Sequence, residues 1–263
     1  MTGPEILQAV VLGVVQGITE FFPVSSTAHL ILFPWFFGWE GEVNSLTFDV
    51  ALHGGTLMAL LVFFYKDWLN LILKDRRMLL FLVLATIPAG LAGVLLNDLV
   101  ESTLRSPLII VFTLIGVGIL MLVAERYAAQ RRGKPMDAIS LPDALFIGVA
   151  QAVALIPGVS RSGMTITAGL FRDVTRESAA RFSFLLSAPV IGGAFLLEGR
   201  KILASSESNG MGLFAIGFIA SFVSGLLAIK FLLSFLKKYP LNAFVYYRFL
   251  LAGVIALFFL RVR

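Results

Sequence analysis

Six long apolar runs constrain this chain more than any other feature. Each approaches the ~20 residues with which an α-helix crosses a ~30 Å hydrocarbon layer. Only 14% of the residues are charged, against about 25% in soluble domains. Because a spanning segment must satisfy its own backbone hydrogen bonds, these runs predict transmembrane helices and disfavour a soluble fold. The runs are 46–65, 78–96, 107–124, 181–197, 211–236 and 244–260.

Two further apolar regions, 5–37 and 141–171, are interrupted at 23–27 and 157–163. The arms on either side of each break have only about 12–17 residues, too few for a full span. We therefore expect two re-entrant hairpins of broken helix. Pairs of full spans are the alternative, because two crossings, like none, return the chain to the side from which it entered.

The two interrupted regions resemble each other. The segment 13–17 matches 148–152 at an offset of 135 residues, and Pro23-Val24-Ser25-Ser26 resembles the segment 157–160. Three long runs follow each region. We predict an all-α integral membrane protein with two inverted repeats, each a re-entrant hairpin plus three transmembrane helices. The repeats cover about 1–124 and 141–263, joined by a cytoplasmic linker at about 125–140. Paired interruptions of this kind indicate a binding site near the membrane midplane.

Positive charge predicts the orientation. If each hairpin returns to its own side, the loops 66–77, 125–140, 172–181 and 237–242 share one face and hold 13 Lys and Arg. The opposite face, with the loops 97–106 and 198–210 and both termini, holds five. The bias places the first face in the cytoplasm. Both termini are then outside, and the hairpins enter from opposite sides.

Two ionisable residues at the breaks lie neither in a loop nor at the end of a predicted span. Glu20 lies deep in the first interrupted region and Arg161 lies at the second break. Such groups inside a membrane are costly and usually functional. If the hairpin tips meet, the two residues share a site. Lys230 and Arg248, near cytoplasmic helix ends, are expected to extend to the interface. His53 beside Gly54-Gly55 is interpreted first as a mark of close helix packing, with a role in the site as the less favoured alternative.

The first break groups polar residues by helical spacing. Gln16 and Glu20 are four residues apart and face the same side. Pro23 ends that arm, and Ser25 is a candidate N-cap for the next. Ser26 and His29 are then neighbours one turn apart. The start of this half-helix offers free N–H groups and a positive dipole end to an anion.

The second break adds an anion clamp. Arg161 offers a planar fork suited to phosphate, Gly163 permits close backbone approach, and another half-helix starts here. Hydroxyls come from Ser160, Ser162 and Thr165. A clamp, a carboxylate, a hydroxyl and an imidazole suit phosphoryl transfer, in which positioning and charge neutralisation dominate.

At these residues the chain resembles the undecaprenyl-diphosphate phosphatase family of the bacitracin-resistance type, over its whole length. The resemblance implies hydrolysis of the terminal phosphate of the C55 lipid diphosphate, recycling of the carrier for cell-wall synthesis, and bacitracin resistance. It also implies a bacterial inner membrane location with an active site facing the periplasm. The motifs are Gln16 with 20–29 and the segment 157–163.

The resemblance implies Mg²⁺ or Ca²⁺, with Glu20 as the anionic ligand. The family carries Glu or Gln at the opening position of its first motif, and here it is Gln16, which weakens a two-carboxylate metal site. Substrate oxygens and water then complete the shell. The partners implied are the lipid diphosphate and membrane lipids, not nucleic acid. A homodimer is a further possible assembly.

The hypothesis for the site gives each residue a role. Ser26 attacks phosphorus or orients the attacking water, His29 or Glu20 takes the proton, and Arg161 holds the diphosphate. The expected catalytic residues are Glu20, Ser26, His29 and Arg161. The expected substrate-binding residues are Gln16, Ser25, Thr27, Ser160, Ser162, Gly163 and Thr165.

Two other functions fit parts of the pattern. Inverted repeats and broken helices also occur in transporters, so a flippase or transporter of polyprenyl phosphate is the main alternative. An ion channel explains less, because Arg161 and the pair of Ser26 and His29 would have no role in it.

Overall fold

The protein is entirely helical in the part described by its computed structural model, which covers residues 2–102, 104, 106–204 and 211–262. Eleven α-helices follow one another in these ranges. They are α1 (Gly3–Thr19), α2 (Ser26–Phe37), α3 (Leu46–Phe63), α4 (Tyr65–Leu73), α5 (Arg76–Ser102), α6 (Pro107–Ala129), α7 (Leu141–Val153), α8 (Arg161–Phe171), α9 (Arg176–Ala204), α10 (Met211–Leu236) and α11 (Asn242–Val262).

Six of these helices are long and apolar enough to cross a membrane, and all six predicted runs are confirmed as helices. The least buried, Arg76–Leu96, has a mean hydropathy of 2.5 and only 22% of its residues inside the protein. Apolar side chains that a helix leaves exposed in this way need lipid around them. The protein is therefore a multi-pass membrane protein. The six segments are Leu46–Phe63, Arg76–Leu96, Pro107–Ala129, Arg176–Leu197, Met211–Leu236 and Asn242–Phe259.

The two interrupted regions form pairs of short helices, as predicted. α1 and α2 have 17 and 12 residues, and α7 and α8 have 13 and 11. At 1.5 Å per residue, α7 is about 20 Å long, well short of a hydrocarbon layer. The segment 66–77 differs from its prediction as a plain loop, because most of it forms helix α4.

Small residues let the short arms pack tightly against long helices. A Cβ atom on Gly13 of α1 would lie 2.6 Å from Ala220 of α10, and one on Gly148 of α7 would lie 2.3 Å from the carbonyl oxygen of Ala85 in α5. Close backbone approach of this kind is a common way to join helices in membranes. It holds α1 against α10 and α7 against α5.

The four loops rich in Lys and Arg meet at one end of the bundle. Arg181 pairs with Asp67, which joins the start of α9 to α4. Arg176 donates to Glu125 at 2.8 Å, and the backbone N–H of Leu241 donates to the same carboxylate at 2.9 Å. These contacts confirm that the four loops share one face. On the opposite side, residues 103, 105 and 205–210 lie outside the described ranges, so that half of the charge count stays a prediction.

The base of the second hairpin is held at the same end. The Asp143 side chain is fully buried and accepts hydrogen bonds from Lys134 at 2.6 Å, Ser140 at 2.6 Å and Arg172 at 2.7 Å. Burial raises the pKa of this carboxyl, but the hydrogen bonds from Lys134, Ser140 and Arg172 outweigh it and hold the pKa well below its usual range. Asp143 thus remains charged and anchors the N-terminus of α7.

Candidate active site

The first break ends one short helix and starts another. α1 ends at Thr19, and Pro23 in the following turn lacks a backbone N–H with which to donate back to that helix. Ser25 then takes φ = 76°, and its hydroxyl oxygen accepts the N–H of Ala28 at 3.4 Å, which caps α2. The predicted N-cap is confirmed. A positive φ in a residue other than glycine costs about 1–3 kcal/mol and is concentrated at functional sites.

The second break repeats this geometry. Ser160 has φ = 73° and caps α8, and its hydroxyl oxygen accepts the N–H of Gly163 at 3.2 Å. Gly158 precedes it at φ = 87°. Ser160 therefore corresponds to Ser25 at an offset of 135 residues. Pro157 and Pro23 are 134 residues apart, so the similarity between these prolines in the sequence differs by one residue from the structural offset of 135.

Glu20 is the centre at which the two breaks meet. Arg161 of the second break donates to its Oε1 at 2.7 Å. Ser26 Oγ donates to its Oε2 at 2.6 Å, and Gln16 Nε2 donates to the same oxygen at 3.1 Å. Only 6% of Glu20 is exposed. The expectation that Glu20 and Arg161 meet is confirmed, and the Ser26 hydroxyl points at an acceptor suited to take its proton.

Several polar groups around this centre have no partner among the described residues. Arg161 Nη1 and Gln16 Oε1 are buried side-chain atoms without a hydrogen bond. The first turns of α2 and α8 also leave backbone N–H groups without an acceptor in the described chain, on Ser26, Thr27, Arg161 and Ser162. Free N–H groups at helix starts bind anions readily. The arrangement can accept a phosphate group beside Ser26.

The same centre offers oxygen ligands for a hard cation. Glu20 supplies a carboxylate, and the free Gln16 Oε1 supplies an amide oxygen. Within the described residues, no three His, Asp or Glu side chains lie close enough to hold a metal ion by themselves. This donor set fits Mg²⁺, which keeps several water molecules and takes substrate phosphate oxygens beside one or two carboxylates.

Comparison with known proteins now assigns the family. The profile of the family described as bacitracin resistance protein BacA matches residues 9–254. The chain belongs to the BacA family. Similar proteins are the undecaprenyl-diphosphatase of Thermodesulfovibrio yellowstonii, 57% identical over 97% of this chain and 98% of that protein, and that of Rubrobacter xylanophilus, 48% identical over 96% and 97%. The undecaprenyl-diphosphatase of Moorella thermoacetica is 47% identical over 97% and 99%.

In this member of the BacA family, both nitrogens of His29 contact partners other than the Ser26 hydroxyl. Nδ1 lies 2.7 Å from the carbonyl oxygen of Ser25, so it carries the proton. Nε2 lies 2.7 Å from the hydroxyl of Tyr247 on α11, whose ring is stacked on the imidazole. Between the two predicted proton acceptors, the geometry favours Glu20. Tyr247 was missed because nothing in the sequence pairs it with a residue 218 positions away.

His53 lies beside the site, which was the less favoured of the two interpretations of this residue. Its Nδ1 is 2.7 Å from the carbonyl oxygen of Asp49, and its Nε2 faces Glu20 Oε2 at 3.7 Å. The neighbouring glycines do mark close packing, since a Cβ atom on Gly55 would lie 2.4 Å from the carbonyl oxygen of Phe218. The same stretch of α3 thus serves both purposes.

Some predicted substrate-binding hydroxyls take part in the scaffold. Ser162 Oγ donates to the carbonyl oxygen of Phe22 at 3.0 Å, which joins the two breaks directly. Thr165 Oγ1 lies 2.6 Å from Ser183 Oγ of α9 and is fully buried. Among the described residues, Thr27 makes no side-chain hydrogen bond, so its hydroxyl is free. Substrate contacts of these residues stay predictions.

A Cβ atom on Gly163 would lie 3.5 Å from Pro23, an ordinary contact distance, so the close backbone approach predicted for this glycine stays a prediction. Arg248, in contrast, does not extend to the interface. Its side chain is fully buried and donates to backbone carbonyls around both breaks. That part of the sequence interpretation was wrong, because helical position alone does not reveal which way a long side chain turns. Lys230 is exposed, consistent with its expected interfacial position.

Proposed function

We propose that this protein is an undecaprenyl-diphosphate phosphatase, a membrane hydrolase that converts undecaprenyl diphosphate to undecaprenyl phosphate and inorganic phosphate. The observation that carries the proposal is the single carboxylate of Glu20, bonded both to Ser26 from the first break and to Arg161 from the second. The relatives carry this activity in their names. Recycling of the lipid carrier and resistance to bacitracin follow from the reaction.

Binding relies on the groups that have no partner in the described protein. Arg161 keeps Nη2 on Glu20 and has Nη1 free for a phosphate oxygen. The free N–H groups at the starts of α2 and α8 add donors from two directions. Because these donors are already oriented by helices, little reorganisation is needed as charge shifts during reaction.

The chemical step uses the Ser26 hydroxyl. As Ser26 Oγ attacks the terminal phosphorus, its proton passes to Glu20 Oε2, 2.6 Å away. The bond from phosphorus to the bridging oxygen breaks, and undecaprenyl phosphate leaves. Water then attacks the phosphorus of the phosphoserine, and Glu20 returns its proton to Ser26 Oγ as the bond from phosphorus to that oxygen breaks. Phosphate leaves with the protons of the attacking water, and the Ser26 hydroxyl and the Glu20 carboxylate are restored. In the alternative, Ser26 and Glu20 orient a water molecule that attacks phosphorus directly.

The two routes differ in one intermediate. If Ser26 is the nucleophile, acid quenching during turnover traps a phosphate on Ser26, which mass spectrometry of the peptide detects. If water attacks directly, the quenched peptide carries no phosphate while the product still accumulates. In both routes, the contact between His29 and Tyr247 is assigned to orienting α2 against α11.

We assign a divalent cation, Mg²⁺ or Ca²⁺, to Glu20 and Gln16 Oε1, with water and substrate oxygens as further ligands. When bound, such a cation neutralises charge on the diphosphate. Removal with EDTA is expected to abolish phosphate release, and added Mg²⁺ or Ca²⁺ is expected to restore it. Full activity in EDTA would remove the cation from the proposal.

The central experiment measures phosphate release by purified protein in detergent with undecaprenyl diphosphate. A detergent micelle has no second compartment, so transport alone produces no phosphate. We expect steady release by the wild type and almost none by Ser26→Ala. Binding of the lipid without release would support a transporter or flippase instead. Light scattering of the same sample reports the oligomeric state, for which a homodimer is the hypothesis.

We further infer that the fold consists of two inverted repeats, about 1–124 and 141–263, joined by the linker 125–140. Support comes from a pair of equivalent contacts between the halves. Gly13 of the first half packs against Ala220 of the second, and Gly148 of the second half packs against Ala85 of the first. Gly13 and Gly148, like Ala85 and Ala220, are 135 positions apart. Equivalent N-caps at Ser25 and Ser160 add to this. Expressing the two halves as separate chains tests it, since independent repeats would each insert in the membrane with opposite orientation.

The orientation in the membrane has a test of its own. The chain contains no cysteine, so a single introduced cysteine reports its own exposure. We propose that the active site faces the periplasm across the bacterial inner membrane. Glu42→Cys, between α2 and α3, is expected to react with an impermeant maleimide in intact spheroplasts. Lys74→Cys, beyond α4, is expected to react only after lysis. The opposite pattern would reverse the orientation.

A further inference from the structure

Arg248 of α11 is a buried cation without a carboxylate partner among the described residues. None of its side chain is exposed. Its guanidinium donates only to backbone carbonyls, at 2.8–3.3 Å. A charge at this depth is costly, and four neutral acceptors compensate it less well than a carboxylate does. The arrangement therefore calls for a reason beyond packing. The four acceptors are the carbonyl oxygens of Pro23, Thr113, Leu114 and Gly158.

Two of these acceptors belong to the two breaks at corresponding positions. Pro23 and Gly158 are 135 residues apart, and each precedes its N-cap, Ser25 or Ser160, by two residues. Arg248 Nη1 donates to Pro23 at 3.3 Å, and Nη2 donates to Gly158 at 2.8 Å. In the described chain, no other donor reaches either carbonyl. One rigid, planar group thus bridges both breaks, which a flexible point charge such as lysine cannot do with the same geometry.

Thr113 of α6 contacts both Arg248 and the second break. It stands 135 residues before Arg248, so it is the corresponding residue of the first half. Its hydroxyl oxygen lies 2.8 Å from the carbonyl oxygen of Pro157, and 3.0 Å from those of Ile109 and Ile110 in its own helix. A Cβ atom on Gly158 would lie 2.0 Å from this oxygen, so only glycine fits there.

We propose that Arg248, assisted by Thr113, is a positioning residue that sets the spacing between the two breaks. It thereby aligns Arg161 with Glu20 and Ser26. Pro23 is three residues from both Glu20 and Ser26, and Gly158 is three residues from Arg161, so a shift of either carbonyl moves the site. A misplacement of about 1 Å can lower a reaction rate by about 10²-fold. The expected change in kcat rests on the proposed phosphatase activity, whereas the expected change in the spacing of the breaks does not.

A distance measurement tests the structural consequence without any assay of activity. In the naturally cysteine-free chain, Val14→Cys on α1 and Val149→Cys on α7 place spin labels at corresponding exposed positions on the two arms. We expect a narrow distance distribution by pulsed EPR in the parent. Arg248→Lys is expected to shift or broaden it. Lys230→Met, which removes an exposed cation from α10, is the matched control and is expected to leave it unchanged.

A second pair of variants guards against poor folding of Arg248 variants. Thr113→Val keeps the shape of the side chain and removes the hydroxyl, whereas Thr113→Ser keeps the hydroxyl. We expect Thr113→Val to broaden the distribution and lower kcat about fivefold, and Thr113→Ser to restore most of both. A kcat about 10²-fold lower is expected for Arg248→Lys. Loss of folded protein alone would lower apparent kcat without changing the distances in the remaining folded molecules.

The outcomes separate the two proposals. Distances unchanged in Arg248→Lys and Thr113→Val, with kcat within twofold of the parent, would overturn the positioning role. A lower kcat per folded molecule, with unchanged distances, would also overturn it. If the parent releases no phosphate, the proposed phosphatase activity fails, and the distance distributions still decide whether Arg248 sets the spacing of the breaks.

Discussion

At the break between α1 and α2 the chain carries a carboxylate and a hydroxyl, whereas the corresponding break between α7 and α8 carries a guanidinium. The backbones are nearly the same, with Ser25 and Ser160 at φ = 76° and 73°. Position by position, Ser26 corresponds to Arg161, and Glu20 corresponds to Leu155. One backbone arrangement thus presents opposite charges from its two copies.

The difference shows how a repeated fold can build a single asymmetric site. Each half-helix start supplies free N–H groups, which are the same in both breaks. The side chains then divide the work, since the proton acceptor lies in one break and the clamp in the other. Neither break is sufficient alone, because Glu20 binds Ser26 and Arg161 at the same time.

The strongest way to test this division is to remove the hydroxyl of the first break. Ser26→Ala is expected to lower kcat by about 10³-fold, because catalytic groups contribute ~10²–10⁴-fold. Phosphate release in detergent measures the effect, and Ser234→Ala on α10 is the control. Retention of more than about 10% of turnover would remove Ser26 as the nucleophile.

The second break is tested by keeping its charge and changing its shape. Arg161→Lys is expected to lower kcat/KM about 10²-fold, because lysine cannot hold Glu20 and a phosphate oxygen with one planar fork. Arg131→Lys, in an exposed pair with Asp173, is the matched control. A fully active Arg161→Lys protein would contradict the clamp.

Two corresponding glutamines sharpen the comparison. Gln16 donates to Glu20, whereas the side-chain nitrogen and oxygen of the buried Gln151 have no partner among the described residues. Gln16→Leu is expected to lower kcat about tenfold by loosening Glu20. Gln151→Leu is expected to keep kcat within twofold and to raise the melting temperature, because an unpaired buried amide costs about 1–3 kcal/mol. Equal kinetic effects would mean that both breaks take part in the chemistry.

The smallest kinetic effect is expected at the bases of the two hairpins. Asp143→Asn should lower the melting temperature and leave kcat almost unchanged, while Glu5→Gln at the start of α1 should change neither. The folded-state pKa of Asp143 is lowered, so its stabilisation is present above the unfolded pKa, near ~4, and is lost as pH falls below it. Thermal melting of wild type and variant between pH 7 and 3 should therefore converge toward low pH.

Much of this fold follows from local properties of the chain. Apolar length predicts the six spans, and the prolines at 23 and 157 predict the breaks. Spacing of four residues predicts the bond of Gln16 to Glu20, and the repeat predicts that Glu20 meets Arg161. These features depend on neighbours in sequence or on a visible internal similarity, so the sequence alone predicts them.

The remaining features depend on contacts between distant helices. Tyr247 contacts His29 across 218 positions in the sequence. His53 faces Glu20 from α3, where the neighbouring glycines indicate only close helix packing. The sequence marks Arg248 only as a basic residue in an apolar helix. Its direction is set by the carbonyl groups that two broken helices leave without donors, and these converge only when α6 and α11 cross beside both breaks.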